Sequence, residues 1–296
     1  MSRSGEFELI RRFLAPLATA AGAGGLEDDA ALIDAPEGRR LVVTTDSMVE
    51  GVHFPGNGPP GLIARRLLRT NLSDLAAMAA WPEGYLLNLA LPGRIDDPWL
   101  EGFAAGLAAD QKEFGLSLFG GDTVATPGAL TLTVTAFGSA AAPVRRSGAR
   151  PGDLVFVTGP VGDGRFGLKA VRGELDAPRL ADRYWLPTPR FGAAEGASAA
   201  ADISDGLIAD LGHICRASSV GAVIDLEAVP LSPEVAALGA GARLEALTGG
   251  DDYELVFTAR ESAAIPVGRI VAGEGVTVLD AAGEPVLLER QGYTHD

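Results

Sequence analysis

The chain has 296 residues, 47% hydrophobic and 21% charged, enough for two α/β domains of ordinary size and too apolar for a disordered polypeptide. Its 24 Lys and Arg against 39 Asp and Glu leave a formal charge of -15, which repels nucleic acid and anionic membrane surfaces and favours cations as partners. No apolar run approaches the roughly 18 residues of a spanning helix, and Glu6, Glu8, Arg11 and Arg12 stand where a signal peptide needs its apolar stretch, so the chain is expected in the cytoplasm.

In chain order, Phe7, Ile10, Leu14 and Leu17 give residues 6–17 the spacing of a short amphipathic helix, and a Gly/Ala-rich loop then runs into Glu27-Asp28-Asp29. A strand from Leu41 to Thr45 delivers Asp46. A helix over about 61–80 places Asn71 and Asp74 on one face, since i and i+3 are neighbours there. A strand from Tyr85 to Leu91 comes next, and then a helix with Pro98 in its first turn and Gly115 past its end. Another strand runs into Gly120-Gly121-Asp122, and Leu130 to Phe137 alternates apolar and polar as a half-buried strand does.

The Ala-, Gly-, Pro- and Arg-rich stretch 139–152 reads as a join, giving domains of 1–138 and 139–296. The second opens with the strand Leu154 to Val157 and continues through helices near 163–172 and 189–200. Asp202-Ile203-Ser204-Asp205 leads into a further helix, with Ser204 as its expected N-cap. Strands at 222–226, 253–258 and 267–272 and a hairpin around Ala282-Gly283 complete an α/β unit. Cys215, the single cysteine, excludes an internal disulfide and is spaced with Ile208 and Leu211 as a packing residue.

The chemistry-bearing residues are mostly acids. Asp29, Asp46, Asp74, Asp122, Asp202 and Asp205 recur where strands end or loops begin, the places where open α/β sheets hold ligands. Such oxygen donors suit several Mg²⁺ ions, each taking one or two carboxylates and completing its shell with water and phosphate. As helix caps or solvated turn residues they would need no metal, a reading that serves any one of them better than the set. With only Lys112 and Lys169 present, phosphate charge must be met by arginine, backbone N–H groups or metal. No Walker motif exists, which excludes a P-loop kinase. Gly162-Asp-Gly-Arg-Phe-Gly167 matches a dinucleotide-binding turn, but no second strand ending in an acid follows about 20 residues on. Of the histidines only His53 falls in a candidate site, and no zinc spacing appears.

Taken together the motifs resemble the thiamine-monophosphate kinase family of the aminoimidazole-ribonucleotide synthetase (PurM-like) superfamily. The resemblance runs along almost the whole chain: Gly5-Glu-Phe-Glu-Leu-Ile10, Asp28-Asp29-Ala-Ala, Thr44-Thr-Asp-Ser-Met-Val-Glu-Gly-Val-His-Phe54, Asn71-Leu-Ser-Asp-Leu-Ala-Ala-Met78 and Gly120-Gly-Asp-Thr123. Arg146-Ser-Gly-Ala-Arg-Pro-Gly-Asp153, Asp202-Ile-Ser-Asp-Gly-Leu207 and Gly292-Tyr-Thr-His295 follow in family order.

That resemblance implies a two-domain α/β (α+β) fold, with an N-terminal domain that pairs with its copy in a homodimer and a C-terminal domain that closes over ATP. It implies Asp29, Thr44, Thr45, Asp46, Asp74, Asp122, Asp202 and Asp205 as Mg²⁺ ligands, and Gly121, Asp122, Arg146 and Ser204 as ATP contacts. His53, Asp251 and Tyr293 match positions that hold thiamine phosphate. Asp46, Asp74, Asp122 and Arg146 are the residues expected to carry catalysis. Two departures stand out: Gly249-Gly-Asp251-Asp-Tyr253 has an aspartate where the family usually has glutamate, and Glu27 replaces a common glycine. The expected reaction is direct in-line transfer of the ATP γ-phosphate to a phosphate that is already ionised, with no dedicated base. An ATP-dependent cyclising synthetase of the same superfamily, or a silent nucleotide-binding module, would keep the acidic loops; only the kinase reading needs His53 and Tyr293 as well.

Overall fold

The computed structural model describes residues 5–26, 30–34, 36–288 and 292–293. The chain divides into two compact units, Met1–Leu75 with Ala80–Ala141, and Ala76–Ala79 with Ala142–Asp296.

The first unit is a four-stranded sheet with helices on one face. It begins with α1 (Glu6–Leu9), which passes into a π turn (Ile10–Leu14) and 3₁₀ turns (Ala15–Leu17 and Ala21–Leu26). The single amphipathic helix expected over 6–17 is therefore irregular: the π turn shifts the register, Leu9, Phe13, Leu14 and Leu17 are buried, and Phe7 is exposed.

The strands β1 (Arg40–Val49), β2 (Trp81–Pro92), β3 (Ser117–Thr126) and β4 (Thr131–Ala140) lie in the order β1-β4-β2-β3. Two helices, α2 (Pro60–Ala77) and α3 (Asp97–Phe114), belong to the same unit up to Leu75. β2 and β3 are parallel, and α3 is the crossover that a parallel pair needs. Its limits are chemical. The Asp96 side chain accepts the Trp99 N–H at 3.1 Å, Pro98 sits in the first turn, and Gly115 closes the helix at φ 70. Asp110 on α3, fully buried, accepts both arms of Arg69 and the Nε of Arg65 at 2.7–2.9 Å, which ties α3 to α2.

Strand register sorts the side chains. Asp46, Val134, Leu87 and Gly121 lie in one row facing the helices, and Ser47, Thr133, Asn88 and Asp122 lie in the next row on the open face. β1 and β3 run further than the sequence suggests, so Asp46 and Asp122 sit within strands rather than at their ends.

The second unit is a six-stranded mixed sheet, in the order β10-β7-β9-β5-β8-β6. Its strands are β5 (Leu154–Val157), β6 (Ala199–Asp202), β7 (Gly221–Asp225), β8 (Leu255–Ala259), β9 (Ile265–Val271) and β10 (Gly275–Leu279). Both faces are covered: Val155, Val157, Val256 and Val267 pack with Ile208, Leu211 and Cys215 of α6 (Leu207–Ser218), and Phe156, Leu255 and Phe257 form a core on the other face. Cys215 is buried, as its spacing predicts.

The remaining helices are α4 (Asp163–Val171), α5 (Pro178–Trp185), α7 (Pro233–Ala236) and α8 (Ala240–Thr248). The helix expected over 189–200 is absent. Residues 191–196 form turns, and the alanine run that suggests a helix is partly strand β6, paired with β8. Ladder pairing in the sheet overrides alanine's helix propensity there. The turn at Ala282-Gly283 forms as expected, closed by Gly283 N–H to Asp280 O at 2.9 Å. Among the described residues no helix is long and apolar enough to cross a membrane.

Candidate active site

In the first unit the candidate metal ligands collect where β1 meets α2. Thr44 donates its hydroxyl to Asp74 Oδ2 at 2.7 Å. Asn71, one turn before Asp74 and fully buried, accepts the backbone N–H of Asp46 at 3.0 Å and donates to Leu67 O of its own helix at 2.9 Å. This amide locks the helix to the strand and so sets the distance between Asp46 and Asp74. Thr45 points to the other face, where its hydroxyl meets Val134 O and Thr135 Oγ1, so the side chains of Thr44 and Thr45 cannot serve one ion.

Nor does Asp122 join this cluster within one chain. It lies on β3, three strands from β1 and on the opposite face from Asp46, with its carboxylate accepting the Thr123 N–H at 2.8 Å. The sequence presents the acids as one set, but strand order separates them. Asp122, Gly121, Leu86 and Phe119 line a cavity of about 590 Å³, together with Ile10, Leu14, Leu26 and Ala30 of the N-terminal segment. Gly121 is required there: its φ is 149, and a Cβ would lie 1.8 Å from Leu87 O. Asp29 lies outside the described residues.

His53 sits in the turn after β1, with its Nδ1 accepting the Val49 N–H at 3.0 Å. A neutral ring so held carries its proton on Nε2 and can donate from it.

In the second unit the candidate residues converge on the loop between β6 and α6. Asp202 closes β6 and is buried. Ser204 is not the N-cap of α6: the cap is Gly206, which makes no side-chain cap bond. The acceptor comes instead from inside the helix, where Asp210 Oδ2 takes the N–H groups of Ser204, Asp205 and Gly206 at 3.0, 3.0 and 3.1 Å. Burial and the Asp205 charge push the Asp210 carboxyl up to about 7, against those N–H bonds and Arg146, which favour its ionised form. Burial, with Arg146 and Arg216 nearby, lowers the His213 pKa.

Donor atoms of Asp205, Asp210 and His213 lie within 4.8 Å of one another. They are a poor magnesium trio. The Asp210 oxygen is already taken by three N–H groups, and imidazole is a softer ligand than Mg²⁺ prefers. Exposed Asp46 with Asp74 and Thr44 offers hard oxygen only, which fits.

Asp251 and Tyr293 meet the same loop through their backbones. Asp251 N–H donates to Ser204 O at 2.9 Å and Tyr293 N–H to Asp205 O at 3.0 Å. Tyr293, Gly249 and Gly250 line a cavity of about 350 Å³ with Arg165, Glu245 and Leu244. Asp251 and Tyr253 both hold positive φ, 72 and 52, a conformation costly for such residues and kept only where the surroundings impose it.

Those surroundings are two buried acids that sequence reasoning missed, Asp252 and Glu254. Asp252 accepts the N–H groups of Gly162 and Gly164 at 2.7 and 2.8 Å, and burial raises its pKa well above the usual carboxylate range. The glycine motif 162–167 thus spends these amides on Asp252, not on a pyrophosphate. A Cβ on Gly164 would also lie 2.0 Å from Asp251 O. Glu254 accepts from Arg183, Arg190 and Thr158. The signal for Glu254 was an acid directly before the apolar run of β8, and Asp252 had none beyond its place beside Asp251; Asp210, likewise missed, stands among the apolar residues of α6.

Comparison with known proteins decides the family. Residues 27–140 match the family AIR synthase related protein, N-terminal domain, and residues 150–284 its C-terminal domain. A thiamine-monophosphate kinase of Caulobacter vibrioides is 42% identical, covering 98% of this chain and 90% of its own. The chain belongs to the thiamine-monophosphate kinase family. A crystal structure of the family from Stenotrophomonas maltophilia is 38% identical with a TM-score of 0.83, covering 97% of this chain and 99% of that one. A second, "AaThiL complexed with AMPPCP and TMP", is 32% identical with a TM-score of 0.81 and covers 99% and 97% of the two chains. Family membership accounts for the two α/β units and for the order of the acidic motifs.

Proposed function

We propose that this protein transfers the γ-phosphate of ATP to thiamine phosphate, giving thiamine diphosphate and ADP. Beyond the family match, the observation that carries this reading is the convergence of the two residues matching acceptor positions, Asp251 and Tyr293, on the loop that bears Ser204 and Asp205.

Asp46 and Asp74, with Thr44, would hold Mg²⁺, which when bound offsets the charge of two polyanions. Asp202 and Asp205 are further oxygen donors of the same kind. The apolar walls of the cavity beside Gly121 and Asp122 suit a flat purine, and Arg146 supplies positive charge near Asp205 and Asp210. Because the acceptor is itself a phosphate, no side chain has to remove a proton, and orientation with charge neutralisation supplies the rate. Tyr293 can stack on a flat cationic ring, and Asp251 can bond its amine or offset its charge.

The partner we assign to the open face of the first sheet is a second copy of the chain. β1 is a ten-residue edge strand, and Leu41 and Val43 are 45% and 57% exposed on that face. Sedimentation as a single chain at micromolar concentration would contradict this. We assign the reaction to the cytoplasm, where ATP is supplied.

The experiment that tests the acceptor site is Asp251→Ala. It should raise KM for thiamine phosphate about tenfold, the loss of one charge-assisted bond, and leave KM for ATP unchanged. Asp251→Glu should restore use of the acceptor. Equal changes in both KM values would remove Asp251 from that role.

A further inference from the structure

We propose that Asp210 is a positioning residue for phosphoryl transfer, the one anchor that sets both the nucleotide-side and the acceptor-side residues of the second unit. The inference rests on the roles given above to Ser204, Asp205, Asp251 and Tyr293.

Asp210 is 1% exposed and lies in the first turn of α6, with its side chain turned back on the loop that precedes the helix. Its Oδ2 gathers three consecutive backbone N–H groups, those of Ser204, Asp205 and Gly206. A single acceptor for three successive donors forces the chain to curl around it, and the curl turns the carbonyls outward. Those carbonyls are then used in order: Ile203 O accepts from Tyr253, Ser204 O from Asp251, and Asp205 O from Tyr293, at 2.9, 2.9 and 3.0 Å.

The packing admits little slack. A Cβ on Gly250 would lie 2.1 Å from Ser204 O, and one on Gly292 would lie 3.0 Å from Asp205 O. Gly206 takes φ 125 to let the chain leave the curl. The side chains of Ser204 and Asp205 thus project from a loop whose inner rim is Asp210 and whose outer rim is the backbone of the acceptor residues. Moving the inner rim moves both sets together.

The test is Asp210→Asn, which keeps the shape and replaces the carboxyl group by an amide. With an NH2 group competing for the place of the oxygen that gathers the three N–H groups, the anchor is weakened, and KM for ATP and KM for thiamine phosphate should each rise about tenfold. Asp251→Ala should raise only the second. The control is Asp153→Asn: Asp153 is equally buried and accepts the Arg150 N–H and the Ser198 hydroxyl, but makes no bond to the loop. It should lower the melting temperature and leave both KM values where they are. Unchanged KM values in folded Asp210→Asn, or the same changes in Asp153→Asn, would overturn the proposal.

Should Asp210→Asn fail to fold, amide exchange in the wild-type protein decides. The N–H groups of residues 204–206 should be protected without ligand, and exchange at the rate of an open loop would overturn the anchor. That measurement does not depend on the reaction, so an absence of thiamine diphosphate from wild-type protein would count against the functional reading alone.

Discussion

Replacing Asp74 by asparagine should lower turnover about a hundredfold or more while leaving the fold intact, the scale seen when groups that organise transition-state charge are lost. Asp74 is half-buried on α2 and accepts the Thr44 hydroxyl at 2.7 Å, and the neighbouring Asn71 holds the Asp46 backbone. Asparagine keeps the volume and one acceptor oxygen, so the hydrogen bond to Thr44 survives and helix packing is undisturbed. What disappears is a negative hard ligand beside Asp46. The loss should show in turnover, and added Mg²⁺ should recover part of it, because a weakened site fills at higher metal concentration. Circular dichroism and the melting temperature should match those of the wild type. Near-normal turnover in folded Asp74→Asn at saturating Mg²⁺ would take this carboxylate out of the metal site.

The largest effect on stability is expected at Glu254, which is fully buried and receives Arg190 at 2.5 and 2.7 Å, Arg183 at 2.9 Å and the Thr158 hydroxyl at 2.5 Å. Removing one partner of a buried ion pair leaves the other charge uncompensated, which costs about 3–5 kcal/mol. Both arginines keep side-chain exposures of 29%, so water meets part of their need and the lower end applies, about 3 kcal/mol for Glu254→Leu. Thermal unfolding measures it. The exposed pair Arg179–Glu234, with the arginine 87% exposed, is the contrast: Glu234→Ala should cost no more than about 1 kcal/mol. Equal shifts for the two variants would mean that the buried network contributes nothing beyond a surface pair.

Local chemistry made parts of the fold legible in the sequence. α3 was bracketed by Pro98 and Gly115, and β5 by its apolar run, because caps and strand runs act within a few residues. The helix expected over 189–200 was lost to pairing between β6 and β8, which sequence neighbours do not encode. The site divided in the same way. The spacing of Asn71 and Asp74 put them on one face, and both do face β1. Strand order put Asp122 on another edge from Asp46, a fact of topology that no motif carries. Ser204 carried the cap signature, but Asp210, six residues on, accepts the amides, since a buried carboxylate can satisfy three donors at once where a serine hydroxyl reaches one.

The acceptor assigned to this protein is thiamine phosphate, and phosphorus nuclear magnetic resonance tests it directly in a mixture of wild-type protein, ATP, Mg²⁺ and one acceptor at a time. Thiamine phosphate should be converted to thiamine diphosphate with one ADP formed per product, while free thiamine and formyl-glycinamidine ribonucleotide should stay unchanged. Folded, ATP-binding protein that forms no thiamine diphosphate, or that turns over the ribonucleotide instead, would rule out thiamine phosphate as the acceptor.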